Sequence, residues 1–123
     1  MTELSEQQIQ NKIIRDAKKI PYKGRTLSDY IVHAANGGKR PKRTAAGLKH
    51  GGVRKGYPDL IIDIARNGYH GLRIELKDES GGVVSKEQKE RLQMLSDEGY
   101  LAVIRSGYQA AFNEILDYMG IDR

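Results

Sequence analysis

Gly56-Tyr57-Pro58-Asp59-Leu60-Ile61-Ile62-Asp63-Ile64, then a Gly/Asn turn, then Leu72-Arg73-Ile74-Glu75-Leu76-Lys77: these residues decide the fold. Successive strand side chains point to opposite faces. Leu60, Ile62 and Ile64 therefore share a face with Leu72, Ile74 and Leu76, while Asp59 and Asp63 share the other with Arg73, Glu75 and Lys77. Arg66-Asn67-Gly68 fits a three-residue hairpin loop with Gly68 left-handed, a bulged geometry. That register pairs Ala65 with Tyr69, Leu60 with Ile74 and Ile62 with Leu72, and sets Asp59 opposite Glu75. A two-residue Asn-Gly turn would slip the pairing by one and mix charged with apolar faces, which a half-buried sheet resists.

Two carboxylates on adjacent strands repel unless a cation lies between them, and oxygen-only ligands suit Mg²⁺ or Mn²⁺. Lys77 points to the same side as Glu75, placed to hold an anion, orient a water or stabilise developing negative charge. The alternative for the same residues is an exposed strand face with salt-bridged charges.

Working outward, 123 residues suffice for one domain with one modest core. Charged residues make up 30%, and the net charge of +5 favours a polyanionic partner such as nucleic acid. With no cysteine, disulfides and thiolate zinc sites are excluded. No apolar run approaches a membrane span and no signal-peptide core opens the sequence, so no membrane partner and a cytoplasmic location are expected.

Residues 5–20 read as a helix, with Ser5 and Gln8 as a capping box, Leu4 and Ile9 as a staple, and Pro21 as the stop. Glu6 stands in its first turn, either as a dipole-compensating acid or as a further acid beside the sheet. Residues 22–29 read as a polar connection and Tyr30–Ala34 as a short strand. From Tyr30 to Pro58 there is no acid, yet the stretch carries Lys39, Arg40, Lys42, Arg43, Lys49, Arg54 and Lys55. This basic arm, at about 36–57, is suited to phosphates, the more so because Gly37, Gly38, Gly51, Gly52 and Gly56 allow backbone amides near an anion. The alternative is a solvated loop. Thr44–His50 reads as a short helix within the arm.

After a loop at 78–82, Ser85 and Gln88 open a second capping box. The helix runs to about Glu98 with Leu92 and Leu95 inward, and Gly99 stops it. Gln88 either only caps or also faces the site. Tyr100–Arg105 reads as a buried strand, and Ser106 with Gln109 as the start of a last helix whose apolar side is Ala111, Phe112, Ile115, Leu116 and Met119. A hairpin followed by a helical crossover to another strand gives an α/β fold, a mixed sheet flanked by helices. His33, His50 and His70 lie far apart in sequence and read as structural or exposed, with His33 the one able to reach the site.

Pro58-Asp59 and Glu75-Leu76-Lys77 resemble the signature of the PD-(D/E)xK nucleases. With Ser5-Glu6, Asn36-Gly37-Gly38-Lys39-Arg40, Gly51-Gly52-Val53, Ser85-Lys86-Glu87-Gln88 and Gly99-Tyr100, the chain is similar to compact, phage-type members of the VRR-NUC family over residues 5–106. The resemblance implies a single nuclease domain over 1–123, a restriction-endonuclease-like sheet and an Mg²⁺- or Mn²⁺-dependent DNA endonuclease in a bacterial or phage-infected host cell. By position, Asp59, Glu75 and the backbone carbonyl of Leu76 would bind metal, with Glu6 as the helix-borne acid. Lys77 would be catalytic and Gln88 would support the site. Likeness of the compact members to Holliday-junction resolvases implies a homodimer acting on branched DNA. Tyr57 stands where the family usually has a small or branched apolar residue, and Ile20–Ser28 matches no part of the pattern. The alternative is a non-catalytic basic nucleic-acid-binding module; a structural protein would explain the charge but not the strand carboxylates.

Overall fold

The computed structural model describes residues 3–34, 51–52 and 54–123. The first helix, α1, spans Glu6–Ala17, with the Ser5–Gln8 capping box formed in both directions. Ile9, Ile13 and Ala17 make its buried stripe. It ends three residues short of the expected Ile20. The residue before a proline avoids the helical region, so the chain tightens ahead of Pro21 through i→i+3 bonds, Lys19 N–H to Asp16 O and Ile20 N–H to Ala17 O.

The expected polar connection at 22–29 is instead ordered structure. Pro21–Tyr22 (β1) and Arg25–Thr26 (β2) form a minimal antiparallel hairpin. A 3₁₀ turn, Leu27–Tyr30, follows, with Asp29 accepting the Thr26 N–H at 2.9 Å. Leu27 is fully buried, which anchors this segment to the core. Chain polarity concealed it because one leucine carries the burial.

Ile31–His33 (β3), Leu60–Ile62 (β4), Leu72–Lys77 (β5) and Leu101–Ser106 (β6) form one sheet in the order β3-β4-β5-β6. The first two pairings are antiparallel and β5–β6 is parallel, so the sheet is mixed as expected. The expected strand register holds, Leu60 with Ile74 and Ile62 with Leu72. The turn does not: Arg66, not Ala65, bridges Tyr69, around Asn67 at φ +56° and Gly68 at φ +86°. Asn-Gly prefers this two-residue geometry. The resulting one-residue offset is absorbed between Ile62 and Arg66, where Asp63, Ile64 and Ala65 oppose only His70 and Gly71, and the His70 N–H turns away to Gly99 O.

Helix α2, Lys86–Asp97, makes the crossover from β5 to β6, capped by Ser85 and Gln88 as expected. Leu92 and Leu95 are only half-buried, and no α2 residue is fully buried. The expected buried strand β6 is also half-buried, because it is the last strand in the order and pairs only with β5. The last helix, α3, spans Tyr108–Met119 and is capped by Gly107 without a side-chain bond. Ser106 is not its cap; it is the final residue of β6, paired with Lys77.

α1 and α3 pack with Leu60, Ile62, Leu72, Ile74 and Leu76 into the core. The opposite face of β5 is covered too: Arg73, Glu75 and Lys77 are only 7, 3 and 6% exposed. The β5 part of this face is therefore not solvated; Asp63, which is exposed, lies 3.8 Å from Arg73 at its edge.

Candidate metal centre

β4 and β5 run antiparallel, and the chain entering β4 brings Asp59 alongside the end of β5 that carries Glu75 and Lys77. The turn ahead of Asp59 is closely fitted. Pro58 is fully buried, and a side-chain carbon on Gly56 would lie 2.7 Å from the Glu87 backbone carbon and 2.8 Å from Gln88 N. Asp59 Oδ2 accepts the Leu76 N–H at 2.8 Å, tying the carboxylate to the strand that carries Glu75. Leu76 thus meets the site through its backbone amide.

Glu6, from the first turn of α1, completes the group. One carboxylate oxygen from each of Glu6, Asp59 and Glu75 lies within 4.8 Å of the others. Among the described residues this is the one cluster of potential metal ligands. It opens into a pocket of about 370 Å³, also lined by Lys55, Gly56, Ser85 and Gln88.

Gln88 does more than cap. Its Oε1 accepts from Ser85 N at 2.9 Å and from Lys77 Nζ at 3.1 Å, while its Nε2 donates to Glu75 Oε2 at 2.9 Å. One amide therefore fixes the start of α2, the lysine and the carboxylate. Lys77 Nζ also lies 3.6 Å from Glu75 Oε2.

The electrostatics call for a cation. Glu75 Oε1 is buried with no hydrogen-bond partner among the described residues, a costly state for a carboxylate oxygen. Burial, then the negative charge of Asp59, pushes the Glu75 carboxyl up to about 8, against the opposing pull of Lys77. Glu6 is also raised, by burial first, with Asp59 and Asp78 adding to the shift and Lys77 opposing it. Three carboxylates this close, one of them buried, fit a hard divalent cation, which would neutralise them and fill the coordination of Glu75 Oε1.

The structure thus brings Glu6, Asp59, Glu75, Lys77 and Gln88 together. Arg54 and Lys55 of the basic arm are exposed beside the site, and Lys55 lines the pocket. Lys39, Arg40, Lys42, Arg43 and Lys49, the Thr44–His50 helix and His50 lie outside the described residues. His33 Nδ1 is 3.3 Å from the backbone oxygen of Asp59, so it meets the backbone of the site and not its carboxylates. His70 is exposed against Tyr100.

Sequence reasoning missed the buried guanidinium of Arg73. Its Nε donates to the Tyr57 hydroxyl at 3.2 Å, its Nη1 to Leu72 O at 3.2 Å, and its carbon stacks 4.4 Å from the Tyr100 ring centre. The signal was present: an arginine on the same strand face as Glu75, with a tyrosine directly before the Pro-Asp step.

The VRR-NUC domain family model matches residues 4–108 of the chain. A solved structure described as a VRR_NUC domain protein is 42% identical to it, with a TM-score of 0.85 over 98% of this chain and 93% of that one. No curated protein matches the sequence.

Proposed function

The chain belongs to the VRR-NUC nuclease family, and from that premise we propose that it is a metal-dependent, structure-selective DNA endonuclease. Its substrate is branched DNA of the four-way-junction type, and the whole of 1–123 acts as one nuclease domain. The observation that carries this reading is the convergence of Glu6, Asp59 and Glu75 on one pocket, with a buried lysine alongside.

Asp59, Glu75 and the carbonyl of Leu76 are the residues that would hold Mg²⁺ or Mn²⁺, with Glu6 contributing from α1. When bound, such an ion supplies Lewis-acid polarisation of a phosphoryl oxygen and lowers the pKa of a coordinated water. Gln88 fixes Lys77 and Glu75 relative to each other. Lys77 offers its ammonium group to the negative charge that builds on the phosphate as a water oxygen bonds to phosphorus and one ester P–O bond breaks. Lys39, Arg40, Lys42, Arg43, Lys49, Arg54 and Lys55 grip backbone phosphates without reading bases, so DNA shape selects the target. A homodimer would present two such sites with two-fold symmetry, matching the near-symmetry of a junction.

The test is incubation with four-way junctions, flaps and plain duplexes, with and without Mg²⁺ or Mn²⁺, beside Asp59→Ala and Lys77→Ala. Metal-dependent cleavage that is strongest on junctions and abolished by both substitutions is the expected result. Metal-independent binding with no strand cut in any substrate replaces the enzyme with a non-catalytic binding module. Gel filtration checks the dimer: elution at 13.8 kDa removes the two-site arrangement.

A further inference from the structure

The chain's positive charge is segregated. Residues 12–25 carry six cations, Lys12, Arg15, Lys18, Lys19, Lys23 and Arg25, against one acid, Asp16. That net +5 equals the net charge of the whole molecule. The arm from Lys39 to Lys55 adds seven cations and no acid, so the remaining residues carry 8 cations and 15 acids, a net of −7. The concentration at 12–25 falls on the end of α1 and the β1–β2 hairpin, apart in sequence from the basic arm.

Two local features set this segment apart. Arg15, Lys18, Lys19, Lys23 and Arg25 are all exposed. The lone acid, Asp16, accepts from the Tyr108 hydroxyl at 2.6 Å and lies 3.8 Å from Arg15 and 3.5 Å from Lys19. Ion pairs to such exposed cations are weak, so the segment keeps its net positive charge. Cations near a helix C-terminus complement its dipole, which accounts for Arg15, Lys18 and Lys19 but not for Lys23 and Arg25 on the hairpin. Lys23 also occupies a left-handed position, φ +47°, at the hairpin tip beside Gly24. Asn, Asp or Gly takes that conformation at lower cost. An exposed lysine in a strained turn, its ammonium 5.4 Å from the Tyr22 ring centre, presents its charge to solvent and marks a role for it.

We propose that the end of α1 and the β1–β2 hairpin form a second phosphate-binding track, which holds duplex DNA flanking the cleavage site. The ligand is the duplex phosphate backbone; the inference rests on the DNA-nuclease reading and deepens it. Glu6 opens α1 and Lys18 is its C-cap, twelve residues further on, a span of about 18 Å at 1.5 Å per residue. At 3.4 Å per base pair, the track meets DNA roughly five base pairs from the acidic cluster. It therefore engages only arms long enough to reach it.

The test measures binding of labelled four-way junctions in EDTA, where no strand is cut, with arms of about 4, 8 and 15 base pairs. The variants are Lys23→Asn and the combined Lys18→Ala, Lys19→Ala, Lys23→Asn, Arg25→Ala. Wild-type affinity should step up between the shortest and the middle arm. The combined variant should lose that step, bind the longer arms about tenfold more weakly, and show a salt slope shallower by about 3. Lys23→Asn alone should weaken long-arm binding while its melting temperature equals or exceeds that of wild type, the reverse of a structural role. Unchanged affinity and salt slope, or equal losses on short and long arms, overturn the track. Wild-type protein that still cleaves junctions in Mg²⁺ then leaves the nuclease reading standing; wild-type protein that neither binds nor cleaves removes both.

Discussion

Gln88 Nε2 donates to Glu75 Oε2 at 2.9 Å, from the first turn of a helix whose cap the same side chain completes. Cap and site support are therefore one residue, and a substitution can separate them. Glu is as good as Gln in a capping box, but Gln88→Glu replaces the donor facing Glu75 with another acceptor. Its melting temperature should stay near wild type, while metal-dependent cleavage falls about 10- to 100-fold, the usual cost of losing a partner that orients a ligand. Thermal melts beside cleavage rates check this. Cleavage within twofold of wild type would make the capping role sufficient.

The raised Glu75 carboxyl makes stability depend on pH. Its folded value of about 8 lies above the ordinary 4.5. Between those limits the folded protein holds a proton that the unfolded chain releases, so metal-free stability falls as pH rises from 4.5 towards 8. Below this window the contribution is complete; above it, it is lost. Glu75→Gln, neutral at every pH, should flatten this dependence and melt higher than wild type at pH 8 without metal. Mg²⁺ or Mn²⁺ should raise the wild-type melting temperature most at pH 8 and leave Glu75→Gln almost unmoved. Melting curves at pH 5, 6.5 and 8, with and without ion, read all of this.

Arg73 reaches the site through Tyr57, two residues before Asp59. Tyr57→Phe removes only the hydroxyl that receives the Arg73 Nε–H and leaves the ring in place. The turn ahead of Asp59 should then hold the carboxylate less tightly, lowering divalent affinity and cleavage by roughly tenfold. Titration calorimetry with Mn²⁺ measures the affinity directly. An unchanged affinity with a lower melting temperature would confine the pair to a folding role.

Much of this arrangement could be read from residues alone, for identifiable reasons. Ser5–Gln8 and Ser85–Gln88 are local capping signals, and each placed a helix start and an acid or amide at the site. Alternation in β4 and β5 put Asp59 beside Glu75, because a one-residue slip would have buried charge against leucine. The turn is not legible from strand register, because register does not dictate loop length: the extra residue sits in a bulge at Asp63–Ala65. The β1–β2 hairpin leaves no pattern in the sequence, because two-residue strands show no periodicity and its lysine stands where turn-forming residues usually signal. Half-burial of β6 and α2 depends on their place at the edge of the sheet, which no local pattern records.

Gly56 and Gly68 share a backbone conformation, φ +87° and +86°, but not surroundings. Nothing lies within 4 Å of a side-chain carbon built on Gly68, whereas on Gly56 it would meet the backbone of Glu87 and Gln88 at 2.7 to 2.8 Å. Gly68→Ala therefore suffers only the left-handed conformational cost, about 1–2 kcal/mol. Gly56→Ala suffers that cost and also drives the turn away from α2, and backbone cannot yield as a flexible side chain does. Because the contact is with the Glu87–Gln88 peptide, the displacement shifts Gln88 and reaches Lys77 and Glu75 together. Gly68→Ala should melt a few degrees lower and keep its cleavage rate, while Gly56→Ala should melt lower still and lose cleavage even at temperatures where it is folded. Circular dichroism melts and cleavage assays on both variants make the comparison. Equal activity in the two would show that the close approach of the turn to α2 is not needed for the site.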